Sequence, residues 1–494
     1  MIKPVSMRPR FSRILRRSAI FGFAIGSGGF SPWALGEPVT TIRNNGDSAN
    51  RVDLVILGDG YISTEMGKYT TDVENAVQGF FAQEPFKEYQ RYFNVHRVDV
   101  TSAESGADHP EDVPPTSKDT AFDATYNCAG IERLICFDVS KVNTVLGNSV
   151  EADQRDMVLV LVNDTEYGGS GGSIAVASLH PEVIELVLHE IGHSFGLLAD
   201  EYDTQPPPCD NAVEPPEVNV TRETDRGLIK WNVGGSPPTG WIDPSTPIPT
   251  TTTQAGVPGL YQGAKYCPTG LYRPTNNSKM RTLDPSFEQI NEEQLIKRTY
   301  NWVSPLDSSS PLSSDVALVL GDSQAFQVTI PTPDTNSLAV TWYVDNSEVA
   351  TGLTFTFNSA TFGTGPHTVQ VIVEDPTPKV RNDPANVLRD DRMWMVTVNA
   401  NVLTCFGAPA TVVGTNGNNN LKGTSGNDAI VGLGGKDIIN GEGGNDIICG
   451  GDGKDIIRGG TGNDQLDGGA GSDILHGGRG TDVCINGEVT FGCP

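Results

Sequence analysis

From Asp428 onward an aspartate recurs every nine residues, at Asp437, Asp446, Asp455, Asp464, Asp473 and Asp482, and a glycine stands five and two positions before each. A unit this short cannot bury an apolar face alone, so the segment has to stack successive turns on one another. Two positions after each of the first six aspartates stands a large aliphatic residue: Ile430, Ile439, Ile448, Ile457, Leu466 and Leu475. Those residues are expected to point inward. A degenerate unit precedes them, with Asn419 in place of the aspartate and Leu421 inside. A disordered glycine-rich tail would not hold a fixed period in both glycine and aspartate.

The remaining chain needs other units, since 494 residues exceed one ordinary core and suggest about three. Arg8, Arg10, Arg13, Arg16 and Arg17 precede an apolar stretch from Ala19 to about Trp33, the layout of a signal peptide over residues 1–36 with cleavage near Gly36. A membrane anchor is the alternative, but Gly22, Gly26, Gly28, Gly29 and Pro32 suit a permanent span poorly. No later run is long and apolar enough to cross a bilayer. The mature chain is therefore expected to be secreted and extracellular, with no stable membrane span. A formal net charge of -27 excludes a nucleic-acid partner, which needs a basic patch. Eight cysteines in an oxidising compartment read as disulfides, with Cys128–Cys136, Cys209–Cys267 and Cys484–Cys493 as plausible pairs.

Between residues 37 and 305 the pattern alternates strands and helices. Asp53 to Leu57, Tyr92 to Val100 and Asp156 to Val162 read as strands, and Ser63 to Ala82 as a helix. After the glycine-rich, flexible stretch Gly168 to Gly172, the run Ser173 to Ser178 alternates like an edge strand to which a substrate peptide could add. Residues 203–260, rich in proline and threonine, read as long surface loops. Residues 306–400 carry alternating strand runs and frequent turn signals, the pattern of an immunoglobulin-like β-sandwich.

The informative helix opens at His180-Pro181-Glu182 and should run to about Phe195, closed by Gly196 in a positive-φ conformation. Apolar residues cover most of its circumference, so polar groups inside it require partners. Those groups are His189, Glu190 and His193. Positions four apart share a helix face, so the two imidazoles can grip one zinc ion, while Glu190, turned by about 100°, sits beside it as a general base. A third ligand must follow. The metzincin pattern would place it at position 199, which is Ala199 here; Asp200 is the favoured substitute and Glu201 the runner-up. Asp59, in Gly58-Asp59-Gly60, is explained equally well as a turn at a strand end. The other histidines show no metal spacing.

The run HEIGHSFGLLADE, from His189 to Glu201, resembles the IgA-peptidase family of zinc metallopeptidases, as do Gly58-Asp59-Gly60-Tyr61, Tyr126 to Ile131, Tyr167-Gly168-Gly169, and Tyr272-Arg273-Pro274 through Met280-Arg281. The resemblance implies an α/β metzincin-like fold over residues 37–305, a protein or peptide substrate, and Met280 as a Met-turn beneath the metal; without it, Met280 reads as core. The nine-residue unit resembles the RTX calcium repeat, which implies a parallel β-roll over residues 401–494 with several calcium ions held by Asp428, Asp437, Asp446, Asp455, Asp464, Asp473 and Asp482. The expected architecture is thus multidomain: peptidase, sandwich, roll. Two other readings stand beside a zinc endopeptidase. One is a calcium-dependent surface adhesion protein with an inactive peptidase domain; the other is a zinc hydrolase of non-peptide amides.

Overall fold

The computed structural model describes residues 36–204, 209–233, 239–400 and 402–493. The expected signal peptide lies, but for Gly36, outside the described residues. Two compact units are present. Of the described residues, one comprises those within Met1–Ser314, Ala325–Phe355 and Thr368–Trp394, and the other those within Asp315–Gln324, Thr356–His367 and Met395–Pro494.

The first unit is built on a six-stranded sheet. In chain order its elements are β1 (Val39–Arg43), β2 (Val52–Asp59), α1 (Met66–Phe80), β3 (Phe93–Val98), α2 (Val139–Ser149), β4 (Met157–Val162), β5 (Gly169–Ser170), β6 (Ala175–Ser178) and α3 (Val183–Ser194). Strand order is β1-β3-β2-β4-β6-β5, with β3, β2, β4 and β6 parallel and β1 and β5 antiparallel to their neighbours. Alternation along the strands sorts the side chains between two cores. Leu54, Ile56, Leu159, Leu161, Ala175 and Ala177 pack with residues of α1 and α3, whereas Val55, Leu57, Val158, Val160, Val162 and Val176 pack with Val142 and Leu146 of α2. Both faces are covered, which is why β2 and β4 read as nearly continuous apolar runs.

The expected edge strand is displaced. β6 is fully buried and flanked on both sides, by β4 and by β5, so the sheet ends at Gly169–Ser170. Even that edge is partly occupied, because Gly169 donates to Arg133 O at 3.1 Å and its carbonyl accepts from Ile135. β5 therefore occupies the edge at Val176 and Ala177, where an added peptide would have to pair.

After α3 come the hairpin β7 (Tyr261–Ala264) and β8 (Cys267–Arg273) and the helix α4 (Glu288–Trp302). Cys209–Cys267 fastens the preceding loop to β8, and Cys128–Cys136 closes a second loop. The described residues between 203 and 260 hold only one short helical turn, yet they are more than surface loops: Ile229, Trp231, Trp241, Ile242 and Leu260 form a cluster with Ile290. Also in this unit, Ala339–Val344 pairs antiparallel with Ser347–Thr351 and with residues 369–374, around buried Phe326, Trp342 and Trp394. Asp375 accepts from the Tyr89 and Tyr300 hydroxyls at 2.6 and 2.7 Å, and Leu388 joins the core under the six-stranded sheet.

In the second unit the nine-residue period becomes two parallel sheets, each with a register of 18 residues: Ile430↔Ile448↔Leu466 in one and Leu421↔Ile439↔Ile457↔Leu475 in the other. Ile430, Ile439, Ile448, Ile457, Leu466 and Leu475 are each 0% exposed and form the core between the sheets, as expected. The Cys405–Cys449 and Cys484–Cys493 disulfides also lie here.

Candidate metal centre

Helix α3 buries Leu186 through Gly192 without a break, so His189 and Glu190 sit in the apolar interior. Each imidazole is oriented through its inner nitrogen. Nδ1 of His189 lies 2.9 Å from Lys279 O, and Nδ1 of His193 lies 2.8 Å from Leu198 O. A carbonyl accepts only from N–H, so Nδ1 carries the proton and each Nε2 presents a lone pair when the ring is neutral. The two Nε2 atoms are 3.2 Å apart.

The helix ends differently from expectation. Gly196 does not adopt positive φ; Leu197 does, at 55°. Glycine is needed at 196 for space, since a Cβ there would stand 2.6 Å from Gly192 O and 2.9 Å from a Leu295 methyl. The chain then reverses with Leu198 N donating to Gly192 O at 3.0 Å, and Asp200 returns to the histidines. Its Oδ1 lies 3.2 Å from Nε2 of His189 and 3.2 Å from Nε2 of His193. That oxygen is buried and makes no hydrogen bond of acceptable geometry with either ring.

His189, His193 and Asp200 are the one group of three or more His, Cys, Asp or Glu side chains among the described residues whose ligand atoms all lie within 4.8 Å of one another. Their donor atoms form a triangle with 3.2 Å sides. Ligands about 2.0–2.1 Å from a tetrahedral zinc stand about 3.3 Å apart. The donor set thus fits zinc in chemistry and spacing, with one tetrahedral position left over.

Charge in the site is concentrated. Burial alone would lower the His193 imidazole, but Asp200 3.2 Å away and the charge of Glu190 outweigh this and push it up to about 9. Burial would raise Asp200, yet the two histidines hold it well below the ordinary carboxylate range. Glu190 is raised by burial, against the pull of His189 and His193. No donor among the described residues is hydrogen-bonded to its carboxylate.

Glu201, the runner-up ligand, is turned elsewhere. It is 0% exposed and accepts from Ser278 at 2.8 Å, Asn291 at 3.0 Å and Asn219 at 3.1 Å, while its N–H donates to Met280 O at 2.8 Å. Met280 is also fully buried, and a Cβ on Gly192, one residue before His193, would lie 2.5 Å from its sulfur. Asp59 at the end of β2 accepts from Thr120, Phe122 and Ala124 at 2.9 to 3.0 Å, so it pins a loop distant in sequence rather than its own turn.

Three residues of the site have no sequence signature. Tyr266, at φ 64° in the β7–β8 turn, donates its hydroxyl to Asp200 Oδ2, and Tyr202 Oη stands 3.4 Å from His189 Nε2. The guanidinium of Arg133 lies 5.6 Å from the centre of the Tyr202 ring. The glycine-rich stretch serves close approach: a Cβ on Gly171 would stand 2.6 Å from His193 Cβ and 2.8 Å from Glu190 Oε2.

A second donor set lies in the repeats. In Asp437, Asp446, Asp455, Asp464 and Asp473 one carboxylate oxygen accepts the backbone N–H of the aspartate or asparagine 18 residues earlier, and in Asp482 that of Asp464. The other oxygen, Oδ2, is buried without a partner in all six. Glycine keeps the space beside it open, since a Cβ on Gly450 would lie 2.6 Å from Asp455 Oδ2 and 2.7 Å from Gly468 O. Orphaned carboxylate oxygens beside main-chain carbonyls suit calcium. Asp428 differs, because its Oδ2 accepts from Thr424 N–H and, at 2.9 Å, from the Thr424 hydroxyl.

Residues 40–255 match the sequence model of the family described as IgA Peptidase M64. Residues 413–448 and 450–484 match the RTX calcium-binding nonapeptide repeat. The chain is therefore multidomain, with an N-terminal peptidase domain of metallopeptidase type and C-terminal calcium-binding repeats. No curated protein matches. Among solved structures, the chain is similar to fibronectin(III)-like modules of Clostridium thermocellum CbhA. That likeness has 12% identity over 19% of this chain and 45% of that one, with a TM-score of 0.15, a level that carries no structural argument.

Proposed function

We propose that the chain is an exported zinc-dependent endopeptidase. The observation that carries this reading is the equilateral set of His189 Nε2, His193 Nε2 and Asp200 Oδ1 beside a buried, unpartnered Glu190 carboxylate. His189, His193 and Asp200 would hold a zinc ion, which would supply Lewis acidity and lower the pKa of a water at the remaining position towards neutrality. Glu190, with its affinity for protons raised by burial, would accept a proton from the attacking water and deliver it to the departing amine. Lys279 and Leu198 hold the imidazoles in one tautomer through their carbonyls, and Tyr266 fixes Asp200. Met280 and Glu201 support the turn below.

Export is supported by four disulfides and by calcium repeats, which order where calcium is plentiful. We read residues 306–400 as an immunoglobulin-like sandwich acting as spacer or binding module. The adhesion reading is disfavoured by Glu190, since an inactive site has no use for a buried carboxylate without a hydrogen-bond donor. Removal of metal with 1,10-phenanthroline should abolish casein hydrolysis and zinc, added back, should restore it. Hydrolysis unaffected by the chelator would overturn the metal-dependent mechanism.

A further inference from the structure

Beside the three donors opens a cavity of about 570 Å³, lined among others by Arg133, Tyr167, Tyr202, Tyr266 and Arg281. Its two cations differ. Arg281 is held 3.0 Å from Asp203, whereas no carboxylate among the described residues lies within ion-pair distance of Arg133. The backbone of Arg133 is nevertheless fixed. Gly169 of the sheet edge donates to its carbonyl at 3.1 Å, Ile135 N–H returns to Gly169 O, and the Cys128–Cys136 disulfide closes the loop around it.

The geometry points to Arg133 as a specificity-determining residue that receives a carboxylate of the substrate in this cavity. The inference rests on the peptidase reading above and names what that site selects. A guanidinium presents a planar fork of donors suited to a carboxylate, and an unpaired one over an aromatic ring is placed for an incoming anion. The neighbouring hydroxyls of Tyr202 and Tyr266 reach His189 Nε2 and Asp200 Oδ2, so an anion held at Arg133 sits close to the bond being cut. The cavity's acids, Glu182 and Asp284, complete its wall.

A substrate can offer that carboxylate in two ways, as an aspartate or glutamate side chain near the scissile bond or as its own C-terminus. Full-length, zinc- and calcium-loaded protein is given a mixed peptide library, and cut sites are read by mass spectrometry. A cleaved peptide is then resynthesised with glutamine for glutamate, or with a C-terminal amide. One of the two replacements should lower kcat/KM about tenfold or more in the parent but little in Arg133→Gln, with Arg133→Lys intermediate because a point charge replaces the fork. The replacement that matters identifies the source. If neither matters in the parent, or if Arg133→Gln keeps the same discrimination, the inference is overturned. If the parent cuts no peptide, the peptidase reading falls first and takes the inference with it.

Discussion

Nε2 of His189 and Nε2 of His193 stand 3.2 Å apart, the separation expected of two imidazoles sharing one small cation. Asp200 Oδ1 completes the set at the same distance from each, while Glu201 is bound up with Ser278, Asn291 and Asn219. The account therefore predicts different effects on metal affinity for two adjacent acids. In a zinc-competition titration Asp200→Ala should lose affinity by more than the ~10–100-fold that removal of an outer partner costs, and Glu201→Ala by no more than that. Equal losses would contradict the assignment.

Glu201→Ala should act on stability instead. It would leave the Ser278, Asn291 and Asn219 donors without their acceptor in the interior, at about 1–3 kcal/mol for each group stranded. A clear drop in the melting temperature of the first unit is expected by calorimetry. An unchanged transition would show that this network relaxes at no cost.

Calcium removal should affect the other unit. Six aspartates present a buried Oδ2 without a partner, and their mutual repulsion is relieved when a cation binds. Chelation with EGTA should lower the melting transition of the repeat unit and calcium should raise it in a concentration-dependent way. Asp455→Ala is expected to weaken this response more than Asp428→Ala, because Asp428 already has Thr424 as a partner. Equal effects would contradict the distinction.

Glu88 is one source of acid sensitivity in the first unit. Burial alone would raise the Glu88 carboxyl, but donation from Thr335 and Asn336, helped by Lys379, holds it below the ordinary value. A folded-state pKa below the unfolded one stabilises the protein above the unfolded pKa of about 4.3, and that stabilisation is lost as pH falls through the folded value. Glu88→Gln should therefore lower the melting temperature at pH 7 and differ progressively less from the parent between pH 5 and pH 3. A constant difference would contradict the linkage.

How much of this was legible in the sequence depends on how local each signal is. β2, β4 and α3 announced themselves because burial on both faces leaves continuous apolar runs, and the nine-residue period fixed the 18-residue register of the repeats. The ligand-bearing face of α3 followed from helical spacing alone. The sheet edge did not, since β5 is only two residues long and lies in a glycine-rich stretch with no alternation to read. Tyr266, Tyr202 and Arg133 were equally silent: they reach the site from a hairpin turn, from the segment after α3 and from a disulfide-closed loop. The Cys405–Cys449 pair, 44 residues apart, likewise depends on tertiary folding rather than on spacing.

The most direct test compares the parent protein with Glu190→Ala, measuring bound zinc by elemental analysis and casein hydrolysis in the same preparations. The account predicts one zinc in both and hydrolysis by the parent alone, since Glu190 moves the proton without holding the metal. Absence of zinc from the parent, or undiminished hydrolysis by Glu190→Ala, would contradict it.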